Sequence, residues 1–412
     1  MEVRLLERVG ARQAELLEQI GLLARELGLS AYLVGGAVRD ALLGCSSLDL
    51  DVTVEGEALQ FAARLAKVTG GSLTSHDRFG TAVLELENLH LDFATARRET
   101  YPEPGALPVV EPAAIDDDLV RRDFAVNTLA IRLDRDADQL FDPLGGYQDL
   151  QAGILRGLHE RTFIDDPTRI IRAARYAARF CWQIEPQTLN WLLAAVQANT
   201  LATVTLPRIW GELQRLLLEN TAPAAVELLD CWGALDQLGL GCGCPGDMQG
   251  VWQAAKALRA PAQDRSLAAL ALLTGPEAAA MAAGWGLTVG ERKAVTAAAE
   301  AVPAPPAALV AGEALNSDLR RLGDALPSAA LLAICARHPS ARRNIERLRD
   351  LQNVCLDING EDLQAEGFAP SPGFRPALGA ALAAKLDRGA DRATQLATAL
   401  AVLADWHKQH EL

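Results

Sequence analysis

The sequence has little of what disulfide-bonded and zinc-binding proteins need. It holds only seven cysteines in 412 residues, and they form no Cys-x-x-Cys pair with a matching partner. Cys242 and Cys244 flank a single glycine and are typical of a loop. A disulfide framework and a cysteine zinc site are therefore excluded as organising features.

Paired histidines, long apolar runs and excess positive charge are missing as well. None of the six histidines stands in the paired His-Asp pattern of a metal-dependent phosphohydrolase, and His76-Asp77 is isolated. No apolar run reaches membrane-spanning length and no charged-then-apolar signal opens the chain, so we expect a soluble, cytoplasmic protein. The formal net charge of −14 excludes a generally basic nucleic-acid coat, although local arginine clusters can still bind phosphates.

What is present predicts several subdomains rich in helix. A chain of 412 residues is long enough for two to four of them. Half of the residues are hydrophobic, and Ala and Leu are frequent in the second half, which favours helices. Strand and helix patterns mix up to about residue 145, and helical periodicity dominates after it. We therefore expect a small head with a mostly antiparallel sheet, followed by a long helical body.

The spacing of apolar residues places the individual elements. Strands are predicted at Ala31–Val34, Leu48–Val54, Thr81–Leu86 and Leu89–Ala94, the last two as a hairpin. Helices are predicted at Leu5–Leu29, through Leu42-Leu43, and at Gly56–Val68, Asp166–Phe180, Pro186–Gln197, Ile209–Glu219, Pro223–Trp232 and Val251–Leu258.

The most informative segment combines a glycine turn, an arginine and two carboxylates. Gly35-Gly36 and Arg39 precede Asp49 and Asp51 on a predicted strand. Residues i and i+2 of a strand point to the same face, so the two carboxylates lie side by side and favour a divalent cation between them. Glycines let backbone N–H groups approach an anion closely, and an arginine fork binds phosphate. Each feature alone is typical of a turn or a solvated strand end; together they indicate nucleotidyl transfer.

This segment resembles motif A of the polymerase-β-like nucleotidyltransferases. Its Gly-Gly-x-Val-Arg-Asp and Asp-x-Asp order is similar to that of the class II tRNA nucleotidyltransferase and bacterial poly(A) polymerase family. The resemblance implies an α+β fold: a polymerase-β-like head, then an all-helical neck, body and tail. The domains that we expect are a head at 1–145, a base-selecting neck at 146–220, a body at 221–330 and a tail at 331–412 that contacts the tRNA elbow.

A second block, Arg121-Arg122-Asp123-Phe124-Ala125-Val126-Asn127, precedes an apolar stretch that we predict to be a helix. Consecutive arginines beside an acid are compatible with a solvated helix turn, or with an arginine fork held by Asp123 and aimed at a triphosphate. The block resembles motif B of the same family. That resemblance implies that Arg122, Asp123 and Asn127 contact the ribose and phosphates of the incoming nucleotide.

The third block places Asp165 and Asp166 before a helix that carries Arg169, Arg172 and Arg175. A buried acid–arginine lattice would explain it structurally. A carboxylate acceptor beside a guanidinium donor could also read a base edge, accepting C and A and rejecting U and G. The block resembles motif D, Glu-Asp-x-x-Arg, with Asp165 in place of the glutamate. The resemblance implies that Asp166 and Arg169 choose the base while Arg172 and Arg175 bind phosphates or fix that pair.

Further residues are expected to help. Asp92, between apolar neighbours on a predicted strand, is either a third metal-site carboxylate that activates the attacking hydroxyl or an exposed acid at a strand end. Glu85 and Glu87 are less favoured competitors. Arg208 and Glu212 lie in a segment that resembles motif E and are read as structural.

The stretch from Pro102 to Pro112 is rich in proline and predicts a long loop. This loop is either a surface connector or, as the resemblance suggests, a mobile segment that helps the nucleotide pocket rearrange. The Gly/Pro-punctuated segment around Asn359 and Gly373 resembles the tail that grips the tRNA elbow. The arginines between Arg337 and Arg349 are more typical of a solvated helix face than of an RNA site.

Together the motifs imply Mg²⁺-dependent, template-independent addition of C and A to the 3′ end of tRNA, with CTP and ATP as substrates. Asp49 and Asp51 would hold the metal, and Gly35, Gly36 and Arg39 would help to bind the nucleotide. Three enzymatic alternatives share the motifs: CC addition alone, A addition alone and poly(A) synthesis. A catalytically silent RNA-binding relative is a fourth, which the intact acid pair disfavours.

Overall fold

The computed structural model describes residues 8–45, 49–76, 80–87, 89–135, 139–241 and 245–410. The predicted start of the first helix at Leu5, the strand start at Leu48, Asp77 and the loop at Cys242–Cys244 lie outside these ranges. The chain divides into two compact units, one formed by the described residues up to Glu212 with Leu228–Leu238, the other by Leu213–Glu227 and the residues from Gly239 onward. The four-domain division stays a prediction.

The first unit is built on a seven-stranded sheet with the order β3-β4-β5-β2-β1-β8-β9. The strands of the unit are β1 Ser30–Val34, β2 Asp49–Glu55, β3 Ser72–His76, β4 Thr81–Leu86, β5 Leu89–Thr95, β6 Arg97–Thr100, β7 Val109–Pro112, β8 Ala130–Arg132, β9 Leu140–Phe141, β10 Ile154–Leu155 and β11 Gln183–Ile184. Five of the six pairings in the large sheet are antiparallel and only β2 with β5 is parallel. The expected mostly antiparallel head and the β4–β5 hairpin are confirmed.

Helices cover this sheet and continue the unit. They are α1 Ala11–Leu27, α2 Gly36–Leu42, α3 Ala58–Thr69, α4 Ile115–Val120, α5 Gly146–Ala152, α6 Thr162–Asp165, α7 Thr168–Phe180, α8 Pro186–Gln197, α9 Leu206–Leu217, α10 Ala222–Cys231 and α11 Ala234–Gln237. The end of α9 from Leu213 and the start of α10 up to Glu227 belong to the second unit. Alternating apolar residues of β2, such as Leu50 and Val52, are fully buried, as are Phe61 of α3 and Phe93 of β5, whose ring centroids lie 5.9 Å apart. The helices predicted at α2, α3 and α7 to α10 are confirmed with small shifts of their ends.

Two predictions for this unit are wrong. The proline-rich stretch is not one long loop, because β6 and β7 pair as an antiparallel ribbon and only 101–108 connect them. The apolar stretch after Asn127 is not a helix, because Ala130–Arg132 forms strand β8 beside β1. Strand β8 pairs with β1, which is distant in the sequence, and β7 is short and ends in a proline. Local periodicity therefore revealed neither pairing.

The second unit, in the part that the structure describes, is helical. Its helices beyond α10 are α12 Pro245–Ala257, α13 Ala262–Thr274, α14 Ala278–Ala282, α15 Val289–Ala301, α16 Ala307–Val310, α17 Asn316–Ala325, α18 Ser328–Arg337, α19 Arg342–Gln352, α20 Gly360–Ala365, α21 Phe374–Arg388 and α22 Arg392–His410. Helix α18 is buried from Ala329 to Cys335 and packs against α12, α13 and α15. Helices α21 and α22 pair around Ala381 and Leu403. No described helix is both long and apolar enough to cross a membrane.

The glycine turn between β1 and α2 needs its first glycine. Gly35 has φ +67°, a conformation that L residues rarely adopt, and a Cβ there would stand 2.6 Å from Nη1 of Arg122. The turn therefore brings the start of α2 and an arginine of the second motif together.

Two helical glycines give a matched test of the packing of the head. A Cβ at Gly21 in α1 would stand 2.2 Å from the carbonyl oxygen of Leu133, whereas one at Gly211 in α9 would meet open space. We expect Gly21→Ala to lower the free energy of unfolding by about 3 kcal/mol through overpacking. Gly211→Ala should raise it by about 0.5–1 kcal/mol through helix propensity. Urea denaturation followed by circular dichroism measures both; equal effects would contradict the packing of α1 described above.

Candidate functional site

Three carboxylates meet on one face of the head sheet. Asp49 and Asp51 lie on β2, and Asp92 lies directly beside Asp51 in the register of the parallel pair β2–β5. Residues that are register partners, and residues two apart on one strand, share a face. The structure thus brings together the two acids of the first motif and the expected third acid. Asp51 is half-buried, and Asp49 and Asp92 are exposed.

The electrostatics of this cluster favour a cation. Burial raises the pKa of Asp51 above its ordinary value, the charges of Asp92 and Asp49 raise it further, and Arg122 opposes them. Burial and the charge of Asp49 likewise raise the pKa of Asp92. The cluster thus disfavours its own full ionisation, and a bound divalent cation would relieve that repulsion.

The donor set suits a hard metal ion that also takes ligands from its substrate. Across the described residues, no three His, Cys, Asp or Glu side chains form a complete metal site. Mg²⁺ is commonly held by one or two carboxylates together with substrate phosphates and water, which an all-oxygen pair such as Asp49 and Asp51 matches.

The two competing acids lie elsewhere. Glu85 stands opposite His90 in the β4–β5 pair, and its Oε1 is 4.0 Å from Nδ1 of His90. Glu87 occupies the turn between these strands with φ +51°. Neither acid is among the charges that shift the pKa of Asp51.

Next to the carboxylates lies a pocket of about 380 Å³. Its lining includes Asp51, Asp92, Thr53, Arg121 and Arg122. Negative and positive side chains therefore share one opening. A ligand that carries both a metal ion and phosphates would find partners for each.

Arg122 joins the glycine turn to the acid cluster. Its Nη2 donates to Oδ2 of Asp118 at 2.9 Å, and its Nη1 lies against Gly35. Its Nε is buried and makes no hydrogen bond to any described residue. Burial alone would raise the pKa of Asp118, but the guanidiniums of Arg122 and Arg121 hold it below its ordinary value. Arg122 is thus held in place by Asp118, while not all of its N–H groups are used in hydrogen bonds.

Asp123 is the centre of a buried hydrogen-bond network. Its Oδ1 accepts from the backbone N–H of Phe124 and from Nδ2 of Asn127, and its Oδ2 accepts from Nε and Nη2 of Arg172 at 2.8 and 2.6 Å. Asn127 in turn accepts from Nη1 of Arg39 through its Oδ1. Although burial opposes ionisation, Arg172 and Asn127 lower the pKa of Asp123 to about 2. The second motif is therefore bonded to both the first and the third.

Arg39 lies inside the unit rather than at the pocket opening. Its side chain is only 3% exposed and donates to Oδ1 of Asp40 at 2.8 Å. Its guanidinium stacks within 5.1 Å of the Tyr176 ring centroid and 4.8 Å of that of Phe180. Arg172 and Arg175 also lie over Tyr176. The sequence reasoning missed both aromatics, although they follow the third motif on the same helix at positions where arginine stacking is possible.

Asp166 and Arg169, the two side chains expected to select the base, form hydrogen bonds to different residues. Oδ1 of Asp166 accepts from the N–H and Oγ1 of Thr168 and from Nη2 of Arg208. The buried Arg169 donates to Oγ1 of Thr162 at 2.7 Å and to the carbonyl oxygen of Arg121 at 2.6 Å. Arg169 thus ties the third motif to the second.

The ribbon supplies two further residues that sequence reasoning missed. The Tyr101 hydroxyl donates to Oε2 of Glu99, and Oε1 of Glu99 accepts from Nη1 of Arg121. Burial and the charge of Glu99 raise the pKa of Tyr101, and the charges of Arg169 and Asp166 also act on it. Because the ribbon itself was not predicted, nothing in the local sequence pointed to these contacts.

Comparisons with known proteins show what the chain is similar to. Residues 31–156 match the family described as the poly A polymerase head domain. The chain is 44% identical over 229 residues to a protein of Halalkalibacterium halodurans named A-adding tRNA nucleotidyltransferase, covering 54% of this chain and 53% of that protein. It thus spans about half the length of that curated relative.

Two other relatives match more of their own length. A protein of Deinococcus radiodurans named CC-adding tRNA nucleotidyltransferase is 42% identical over 266 residues, which are 64% of this chain and 68% of that protein. The solved structure of the Thermotoga maritima CCA-adding enzyme in complex with tRNA is 28% identical, with a TM-score of 0.75 over 98% of this chain and 99% of that one. The chain therefore belongs to the class II tRNA nucleotidyltransferase family.

Proposed function

We propose that this protein is a tRNA nucleotidyltransferase that adds C and A to tRNA 3′ ends from CTP and ATP, releasing pyrophosphate. The observation that carries the proposal is the meeting of Asp49, Asp51 and Asp92 on one face of the sheet, where Asp51 and Asp92 line a pocket together with Arg122. The names of the relatives support the substrate class, since each is named for addition to tRNA or was solved with it. A cytoplasmic location stays a prediction.

The reaction that we propose depends on a divalent metal, and Mg²⁺ is the ion we expect. Enzymes of this family use a divalent metal ion. Asp49 and Asp51 would hold it, with Asp92 beside them. When bound, such an ion lowers the pKa of the primer 3′-hydroxyl and stabilises negative charge at the α-phosphate.

The other side chains of the site would bind and orient the nucleotide. Gly36 would bring its backbone N–H close to the triphosphate, whereas the N–H of Gly35 already donates to the carbonyl oxygen of Leu129 and this glycine would shape the turn. Arg122 lines the same pocket as the carboxylates and would offer its guanidinium to the phosphates there. Arg39 is buried against Tyr176 and would act by positioning Asn127.

The third motif would select the base. A carboxylate oxygen of Asp166 would accept from the exocyclic amino group of C or A, while Arg169 donates to the adjacent acceptor. U and G present the reverse pattern and would be rejected. Arg172 and Arg175, stacked on Tyr176, would hold this helix face and neutralise phosphate charge.

A second pair of candidate functions is favoured by specific relatives. The H. halodurans relative is named for A addition alone and the D. radiodurans relative for CC addition alone. Either partial activity would use the same carboxylates and arginines. Poly(A) synthesis and a silent RNA-binding role remain weaker alternatives.

The deciding experiment uses three tRNA transcripts, ending before CCA, after C and after CC. The purified protein is incubated with each in Mg²⁺ and CTP, ATP or both. Completion of CCA on all three, followed by arrest, supports the full activity. Extension of the CC end by ATP alone indicates an A-adding enzyme, and arrest after CC indicates a CC-adding enzyme. Long A tails indicate poly(A) synthesis, and no incorporation would leave the silent relative.

The carboxylate pair can be tested by an isosteric change. We expect Asp51→Asn to reduce kcat by about 10³-fold, equivalent to roughly 4 kcal/mol, because it removes a metal-holding charge. The fold should persist, since the change also removes repulsion with Asp49 and Asp92. Single-turnover incorporation of labelled CTP measures the effect.

Glu85→Gln is the matched control for this change. It removes the same charge from an acid of the same sheet that is 62% exposed and not among the charges acting on Asp51. The control should keep full activity. If Asp51→Asn retained substantial turnover, Asp51 would have no role in holding the metal.

The buried Asp123 makes a prediction about stability and pH. At pH 7, Asp123→Asn should lower the free energy of unfolding by about 3 kcal/mol, because Arg172 loses its partner. The ionised carboxylate contributes stability above its unfolded pKa of 3.8 and loses it as pH falls through its folded value of about 2. The gap between wild type and variant should therefore shrink by about 2 kcal/mol between pH 4 and pH 2.

Denaturant titrations at several pH values measure that gap. Glu15→Gln, which removes a surface carboxylate paired with Arg12 at 3.2 Å, is the control and should change stability little at any pH. A pH-independent gap for Asp123→Asn would show that the pKa of this carboxyl is the same in the folded and the unfolded protein, which would contradict its stabilisation by Arg172.

A further inference from the structure

The ribbon formed by β6, β7 and residues 101–108 reaches the third motif at its tip. The N–H of Gly105 donates to the carbonyl oxygen of Asp165 at 3.3 Å. The carbonyl oxygen of Gly105 accepts from Nη1 of Arg208 at 2.6 Å. A Cβ at Gly105, whose φ is +72°, would stand 2.2 Å from Oγ1 of Thr203. The tip thus contacts Asp165, which precedes α7, and Thr203 and Arg208, which follow α8.

One guanidinium connects this tip to the base-reading carboxylate. While Nη1 of Arg208 holds the Gly105 carbonyl, its Nη2 donates to Oδ1 of Asp166 at 3.1 Å. The Arg208 and Asp166 side chains are 26% and 20% exposed. Because a guanidinium is planar and rigid, a shift of either partner changes the geometry of the other bond.

The Asp166 carboxylate is oriented by three donors that share one oxygen. The N–H and Oγ1 of Thr168 reach Oδ1 at 3.2 and 2.7 Å, in addition to Arg208. A carboxylate oxygen has about two acceptor sites, so Oδ1 is fully used. Within the described residues, the hydrogen bonds to Asp166 all reach Oδ1, so Oδ2 is the oxygen left to accept from a base.

The other end of the ribbon is also tied to this region. Glu99 bonds both Tyr101 and Arg121, and the carbonyl oxygen of Arg121 accepts from Arg169. The charges of Asp166 and Arg169 both act on the pKa of Tyr101. The ribbon therefore contacts each member of that pair through a short chain of bonds.

We propose that Arg208 is a positioning residue for base choice, which sets the orientation of the Asp166 carboxylate according to the position of the ribbon tip. This inference rests on the proposed function and adds a residue that the sequence reasoning had read as structural. With Arg208 in place, Oδ2 faces the base as an acceptor. Without it, the carboxylate is held by Thr168 alone and is free to rotate, so discrimination between amino-bearing and carbonyl-bearing bases weakens.

The test compares Arg208→Ala and Arg208→Lys with wild type. For each, kcat/KM is measured for CTP, ATP, UTP and GTP on the tRNA primers described above. We expect the preference of Arg208→Ala for CTP over UTP to fall by about 10- to 100-fold, the effect of losing a hydrogen bond to a charged group. Arg208→Lys keeps the charge but cannot bridge both partners, so its preference should fall by less.

Two further variants show whether the ribbon tip is involved. Gly105→Ala forces the tip away from Thr203 and should reduce base preference in the same direction as Arg208→Ala. The double variant should be no worse than Arg208→Ala alone, because both changes break the same link. Additive losses would contradict the coupling. Arg161→Ala, which removes a mainly exposed pair with Asp165 at 2.8 Å, is the matched control and should keep wild-type preference.

The outcomes separate this inference from the proposed function. If wild type incorporates no nucleotide, the proposed function fails. If wild type selects C and A and both Arg208 variants select them equally well, Arg208 is only a structural support and the inference is overturned. Should Arg208→Ala fold poorly, the Arg208→Lys series decides, since a structural defect lowers kcat/KM for every nucleotide without changing their ratio.

Discussion

The arrangement of the site depends on one fully desolvated charge, the carboxylate of Asp123. Its four donors come from Phe124, Asn127 and Arg172, and they keep it ionised where burial alone would protonate it. Through Arg172 it fixes helix α7, and through Asn127 it fixes Arg39 and the start of α2. A carboxylate with this many partners has one low-energy position, so three segments that are far apart in sequence adopt a single mutual geometry.

Around Asp123, the site holds a group of carboxylates and a group of arginines that lie near each other. The acids of β2 and β5 repel one another on a common face, while Arg122 lies close enough to moderate the pKa of Asp51 and is anchored by Asp118. The buried Asp118 compensates the charges of Arg121 and Arg122, and Glu99 also pairs with Arg121. A metal–triphosphate complex, the ligand that we propose, would supply a cation for the carboxylates and an anion for the arginines at once.

Much of the architecture was predictable because its signals are local. The alternation around Asp49 and Asp51 and the periodicity of α7 and α8 gave strands and helices close to those observed. Strand β8 was mistaken for a helix, since three apolar residues after a turn carry no distinguishing period. The ribbon was predicted as a loop because its strands are short and one of them ends in a proline, while its contacts with α4 and with Asp165 join segments that no local pattern connects.

The sequence by itself determined which acids, glycines and arginines are available and in what order they occur. It also determined that Asp49 and Asp51 lie on one face of their strand, because side-chain direction in a strand follows from the backbone period alone. Only the tertiary structure decided that Asp92 is the register partner of Asp51, that Arg39 is buried against Tyr176, and that Arg208 bridges the ribbon tip and Asp166. These contacts join residues dozens of positions apart, and their geometry is fixed by packing and by the need to satisfy buried charges, which no local pattern records.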